Sequence, residues 1–307
     1  MRRLTSAGVG HAGQRVACLR FLDTTRRASI FQPERRCVFL SRATSATCVP
    51  PATGPSKSPN NMPLSADWSE PPCAPDLADN EVHLWRAFLD SEHLSLREFE
   101  VVLADDERER ASRFVFPGDS DRFIRGRGIL RAILGQYTQR PAAAVQLEYE
   151  PQGKPRLRLG ESDPPIRFNL AHSQGLAVYA FSRGREIGTD VEAIRSDVPD
   201  EGVAEQFFSS RELAEFRSLP PELRVEGFYL CWTRKEAYLK ALGAGLTAPT
   251  VTFHVSLTPG RPETLQSADC SRWTLRSFRP CDGYAGAVVA EGRDWGLRLW
   301  DWNSASQ

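Results

Sequence analysis

The 307-residue sequence contains no apolar run of 18 residues, so no segment of it reads as a membrane-spanning helix. Its apolar stretches, such as Val16 to Leu22 with Arg20 inside it, are short or interrupted. There is no Cys-x-x-Cys pair, and none of the 5 histidines stands at zinc-ligand spacing. With 7 cysteines, an odd number, neither a disulfide framework nor a zinc site is expected. A reducing, cytoplasmic compartment is. Net charge is also missing, since 39 basic and 39 acidic residues cancel. The cancellation hides a split at Met62: residues 1–61 hold nine Arg and one Lys against Asp23 and Glu34, a net +8, which leaves −8 on the remainder. A net-acidic body does not supply the basic surface that nonspecific nucleic-acid binding needs, so neither nucleic acid nor membrane is an expected partner. Any anion it binds must meet a local basic pocket.

Residues 1–80 lack sustained periodicity and end in a Pro, Ser and Asn cluster, which reads as a disordered leader. Its Arg and Ser content also fits an organelle transit peptide, but a start assigned too far upstream, with Met62 the working start, is the reading preferred. From Val82 the texture changes. A charged, helix-like run over Asp105 to Arg113 precedes Asp119 to Tyr137, where Phe123, Leu130, Leu134 and Tyr137 recur at helical steps among Arg122, Arg125, Arg127 and Arg131. That pattern predicts an amphipathic helix, basic on its exposed side and ending near Gly135. Short alternating segments at 145–149, 156–159, 166–170, 176–181 and 187–192 predict strands. A helix over Phe228 to Leu242, ending at Gly243, and strands at 251–255, 273–278 and 285–289 complete the chain. Helix-then-strands thus occurs twice, and both long helices end in Leu-Gly, Leu134-Gly135 and Leu242-Gly243, a hint of duplication.

Two patterns carry chemistry. Asp190 and Glu192 lie two apart on a predicted strand, so both carboxylates emerge from one face. Trp232, Glu236 and Lys240 recur at four-residue spacing on a predicted helix, which stacks an acid and a base on one side. Each has an ordinary explanation. A Glu–Lys pair at this spacing stabilises a helix by about 0.2–0.5 kcal/mol and needs no further role. An acid pair on a strand can be a solvated face, His172 a structural histidine, and Trp232 a packing residue.

Taken in order, the signals say more. A helix bearing Arg122, the turn Gly153-Lys154-Pro155, the string Phe168-Asn169-Leu170-Ala171-His172-Ser173, then Gly188-Thr189-Asp190-Val191-Glu192 and Trp232-Thr233-Arg234-Lys235-Glu236-Ala237-Tyr238-Leu239-Lys240 follow one another. Over about residues 82–290 the chain resembles the large, Sfp-type class of 4′-phosphopantetheinyl transferases, whose G-x-D and W-x-x-K-E-x-x-x-K motifs it carries. The resemblance implies an α+β fold of two pseudo-symmetric lobes, 81–186 and 187–307, each a small, mainly antiparallel sheet packed on a long helix.

It also implies a reaction: Mg²⁺-dependent transfer of 4′-phosphopantetheine from coenzyme A, a substrate, to a serine of an apo acyl or peptidyl carrier protein, releasing adenosine 3′,5′-bisphosphate. Asp190, Glu192 and Glu236 would hold the metal, as oxygen ligands suit Mg²⁺. Glu236 or Glu192 would accept the serine proton, and Lys240 would neutralise the departing phosphate. Arg122, Lys154 and Arg110 would hold the 3′-phosphate end of coenzyme A, His172 its phosphates, and Lys235 would lie nearby. The chain departs from the family pattern at Ala171, where many members have Ser, and at Glu107, where some carry a basic phosphate contact. With two lobes in one chain, a monomer is expected. Two other functions fit the same residues: a noncatalytic coenzyme A or carrier-protein binding module, and a metal-dependent nuclease. The nuclease is disfavoured because such sites place Lys two residues after Glu on a strand.

Overall fold

The structure, a computed structural model, describes residues 67–91, 93–160, 163–196, 201–243 and 250–303. Strand β1 (Glu81–Phe88) leads into helices α1 (Leu96–Glu100), α2 (Asp105–Ser112) and α3 (Pro117–Thr138), then β2 (Leu147–Tyr149), β3 (Pro155–Leu157), β4 (Ile166–Ser173), β5 (Leu176–Arg183) and β6 (Ile187–Ala193). Helices α4 (Glu201–Phe207), α5 (Ser210–Ser218) and α6 (Pro221–Leu242) follow, and β7 (His254–Val255), β8 (Leu265–Gln266), β9 (Trp273–Phe278), β10 (Tyr284–Glu291) and β11 (Gly296–Asp301) close the chain.

Two main sheets result, ordered β11-β1-β5-β4 and β6-β10-β9. All their pairings are antiparallel except β1 with β11. Side-chain alternation in β5 shows how the layers stack. Ala177, Tyr179 and Phe181 join Ile129, Leu130, Ile133 and Leu134 of α3 in one core. Leu176, Val178 and Ala180 face the other way, into a core shared with Ile187, Val191 and Val288 of the second sheet. The outer face of that sheet, through Ala285, Ala287 and Val289, packs on Phe228, Trp232 and Ala237 of α6. The order is therefore helix, sheet, sheet, helix, and both sheets are apolar on both faces because both are covered. No helix among the described residues is long and apolar enough to cross a membrane.

The α+β architecture expected from the sequence is present, with five corrections. Residues 1–66, with Met62, lie outside the described residues, but 67–80 do not behave as a disordered leader. Ser69 bridges Trp300, Trp68 Nε1 donates to the Arg279 carbonyl, and Leu77 is 1% exposed. An extended strap pinned by two anchors shows no periodicity for a sequence reading to detect. The C-terminal strand β11, not anticipated, returns to pair with β1, so a boundary at 186/187 does not sort the strands in space. The segment 251–255 forms a short 3₁₀ turn over Thr250–Thr252 before the two residues of β7.

Helix α3 runs past Gly135 to a left-handed cap at Gln139, φ 54°. Gly135 instead admits the chain returning after the helix, since a Cβ there would lie 2.6 Å from the Arg140 carbonyl oxygen. Nor is the helix basic only on its exposed side. Arg127 and Arg131 are buried against Glu107 of α2, with Arg131 Nε 2.6 Å from Glu107 Oε2 and Arg127 Nε 3.5 Å from Oε1.

Candidate active site

The two sheets meet along their edge strands, β4 and β6. Edge strands carry unpaired backbone groups that need partners. Here side chains of β4 supply them: Asn169 Oδ1 accepts from the Thr189 amide at 2.9 Å and Ser173 Oγ from the Ala193 amide at 3.1 Å. Ser173 Oγ also donates to Glu192 Oε2 at 2.7 Å, which orients one of the predicted acids.

Strand β6 is pressed against α6. A Cβ at Gly188 would lie 2.1 Å from the Ala237 carbonyl oxygen and 2.3 Å from the Ala241 amide nitrogen, so only glycine lets the helix backbone approach. Gly188, Asp190 and Glu192 alternate onto one face, opposite Val289, Ala287 and Ala285, which pack on α6. That face puts Asp190 under the helix, where it is 5% exposed and accepts from Lys240 Nζ at 2.6 Å. Glu236 lies one turn before Lys240 on the same helix side, half-buried. The structure thus brings Asp190 and Lys240 into contact, with Glu192 two residues along β6 from Asp190 and Glu236 one turn before Lys240 on α6. Trp232 packs, stacked on Phe228 and edge-on to Phe207.

Beyond β4 lies a cavity of about 460 Å³, lined by Arg110, Arg113, Phe114, Asp119, Arg122, Phe123, Arg127, His172 and Tyr179 among others. Three predicted binding residues, Arg110, Arg122 and His172, are on its wall. Arg122 forms a bidentate pair with Asp90 (2.8 and 2.6 Å), a hydrogen bond that holds the Asp90 carboxyl below its ordinary pKa. Arg110 stacks over Phe123, 5.3 Å from the ring centre. His172 points to the cavity while the adjoining Ser173 reaches Glu192, so neighbouring residues of β4 connect a cationic cavity to an acidic edge.

Two predicted binding residues stand elsewhere. Lys154 donates to the carbonyls of Ile187 (3.0 Å) and Lys240 (2.8 Å), and its burial pushes its pKa down. It clamps β3 to β6 and to the negative end of α6, where a cation also meets the helix dipole. Lys235 is buried against Glu212 of α5, at 2.9 and 2.6 Å, and donates to the Phe253 carbonyl, which removes it from any ligand. One position along a helix is about 100° around its axis, so Lys235 and Glu236 serve different sides. The two departures from the family pattern also resolve. Ala171 packs between the sheets and does not line the cavity. Glu107 is the buried partner of Arg127 and Arg131.

Sequence reasoning missed Asp90, Asn169 and Arg127. Asp90 sits in a loop with no local signal, Asn169 belongs to a predicted strand, and Arg127 reads in sequence as part of an exposed basic face. Among the described residues, no group of three or more His, Cys, Asp or Glu side chains is gathered as a ready-made cation site. Asp190, Glu192 and Glu236 are nonetheless an all-oxygen, acidic donor set on facing elements, the chemistry Mg²⁺ takes.

Comparison with known proteins bears on this arrangement. Residues 186–289 match the 4′-phosphopantetheinyl transferase superfamily, and residues 91–183 the N-terminal region of 4′-phosphopantetheinyl transferases. The chain is 40% identical over 77% of its length to 99% of the 4′-phosphopantetheinyl transferase HetI of Nostoc sp.. It is 25% identical, over 64% of its length and 85% of the relative, to the 4′-phosphopantetheinyl transferase Sfp of Bacillus subtilis. It is also 31% identical, over 49% of its length and 53% of the relative, to the L-aminoadipate-semialdehyde dehydrogenase-phosphopantetheinyl transferase of Xenopus laevis.

Proposed function

We propose that this chain, which belongs to the 4′-phosphopantetheinyl transferase superfamily, takes its phosphopantetheine from coenzyme A and delivers it to a serine of an apo acyl or peptidyl carrier protein. The observation that carries the reading is the Asp190–Lys240 contact between β6 and α6, with Glu192 on the same strand face, Glu236 one turn before Lys240, and a cavity beyond β4 walled by Arg110, Arg122 and His172. In this reading the cavity holds the nucleotide end of coenzyme A, and the edge receives the diphosphate.

The residues divide the work by charge. Arg110 and Arg122 supply guanidinium donors for phosphate oxygens, a geometry suited to paired hydrogen bonds. His172 reaches the phosphates from β4. Asp190, Glu192 and Glu236 are the residues that would hold Mg²⁺, which when bound supplies positive charge to the diphosphate. Glu236 or Glu192 accepts the proton of the attacking serine, directly or through one water. Lys240, next to Asp190, is placed to neutralise the leaving phosphate oxygen, since phosphoryl transfer gains chiefly from position and charge. Both half-sites lie in one chain, so a monomer suffices, and the cytoplasm supplies both substrates.

The test is direct. Purified chain, coenzyme A, Mg²⁺ and an apo carrier protein are incubated and the carrier is weighed intact. A gain of one phosphopantetheine arm on its serine, abolished by chelation of the metal, is expected. No gain with any class of carrier protein would contradict the reading.

A further inference from the structure

The cavity wall holds a cation that the protein satisfies only in part. Glu107 is shared by two guanidinium groups, and it serves them unequally. Arg131 takes the short contact, 2.6 Å, and also donates to the carbonyls of Ala142 and Val145. Arg127 is left with a 3.5 Å approach to Glu107, and its buried Nη1 has no hydrogen-bond acceptor. Its side chain is 6% exposed, with the rings of Phe123 and Tyr149 lying 5.7 and 6.0 Å from its Cζ. A buried donor without an acceptor is rare in folded proteins and calls for a partner. Two guanidiniums against one carboxylate also leave a net positive charge where little water screens it.

Two other cations of the cavity are paired at hydrogen-bond distance, Arg122 with Asp90 and Arg113 with Glu109, while Arg110 lies over Phe123. We propose that Arg127 is a phosphate-binding residue of this cavity, and that it holds the 3′-phosphate of coenzyme A. This rests on the coenzyme A reading above. The 3′-phosphate is chosen over the diphosphate because none of Asp190, Glu192 and Glu236 lines the cavity. The ligand's other anionic group, a phosphate monoester, is then the one that faces Arg127. Such a group accepts two hydrogen bonds from one guanidinium. Arg127 thereby takes the place at the 3′-phosphate expected of Lys154.

Calorimetric titration of the full chain with adenosine 3′,5′-bisphosphate and with adenosine 5′-monophosphate isolates this contact without catalysis. The wild type is expected to prefer the bisphosphate by about tenfold or more, equivalent to about 1.4 kcal/mol. Arg127→Gln is expected to bring the two affinities within about twofold, leaving the monophosphate affinity unchanged. Glu107 keeps Arg131 in that variant. Arg127→Lys preserves the charge beside Glu107 but loses the fork, and is expected to lose about threefold of the preference. Retention of the full preference in either variant, or an equal loss for both nucleotides, would overturn the assignment. A wild type that binds neither nucleotide would instead overturn the coenzyme A reading of the cavity, and the inference with it.

Discussion

Helices α3 and α6 are built alike and used differently. Each has 22 residues, begins with proline and ends on a left-handed cap, Gln139 or Gly243. Each is preceded by a short helix, α2 or α5, whose third residue is a buried glutamate. Glu107 accepts from the Ala104 amide and pairs with Arg131; Glu212 accepts from the Ser209 amide and pairs with Lys235. Arg131 and Lys235 are both residue 15 of their helices. This shared strut is firmer evidence of duplication than the two Leu-Gly pairs, which fall at different helical positions. On the common frame the chemistry diverges. Where α6 carries Glu236 and Lys240, α3 carries Ala132 and Gln136; where α3 lines a cavity with Arg122 and Arg127, α6 has Glu226 and Cys231. In the proposed reading one half holds an anion and the other acts on it.

The largest expected effect falls on the acting half. Glu236→Gln should lower transfer by about a thousandfold or more in a carrier-loading assay, because it removes charge at the reacting phosphate. Gln136→Met, at the position in α3 matching Lys240, should change transfer less than about twofold. A comparable loss at Gln136 would break the contrast between the helices.

The struts come next. Glu107→Gln and Glu212→Gln should each cost about 3–5 kcal/mol in denaturant unfolding, since either leaves buried cations without a counterion. A loss under about 1 kcal/mol at one of them would show that the two struts are not equivalent. Lys154→Met should cost about 1–3 kcal/mol by releasing two carbonyls, with KM for coenzyme A changed less than about twofold. A tenfold rise in KM with normal stability would return Lys154 to the cavity.

The smallest effect is a pH dependence in the anion-holding half. His83 is 1% exposed, shares a 2.7 Å hydrogen bond with the Tyr137 hydroxyl, and burial pushes its pKa below 6.5. The unfolded chain therefore binds the proton more readily. Stability should be unaffected by His83 well above pH 6.5 and should fall as pH drops from about 6.5 toward the lower folded value. His83→Gln should flatten that slope in pH-dependent unfolding, and an unchanged slope would assign it to other groups.

The legible part of this molecule was what repeats at short range. The strands 187–192 and 273–278, the long helix ending at Gly243, and the shared face of Asp190 and Glu192 all follow from local periodicity. Gly188 stood in the motif, but its reason, the approach of α6, is a contact between residues about 50 apart. Charge misled where burial intervened. Lys154, Lys235, Arg127 and Glu107 look like surface or ligand-facing groups in sequence because nothing local shows that a counterion or carbonyl awaits them inside. Parallel pairing of β11 with β1 joins the two ends of the described chain, which no neighbouring residue encodes.

The division between holding and acting is tested most directly by a kinetic split between Arg122→Ala and Asp190→Asn. Arg122→Ala should raise KM for coenzyme A about tenfold with kcat largely kept. Asp190→Asn should lower kcat by about a thousandfold while adenosine 3′,5′-bisphosphate binds with wild-type affinity. Wild-type kcat in Asp190→Asn, or a purely kcat defect in Arg122→Ala, would contradict the account.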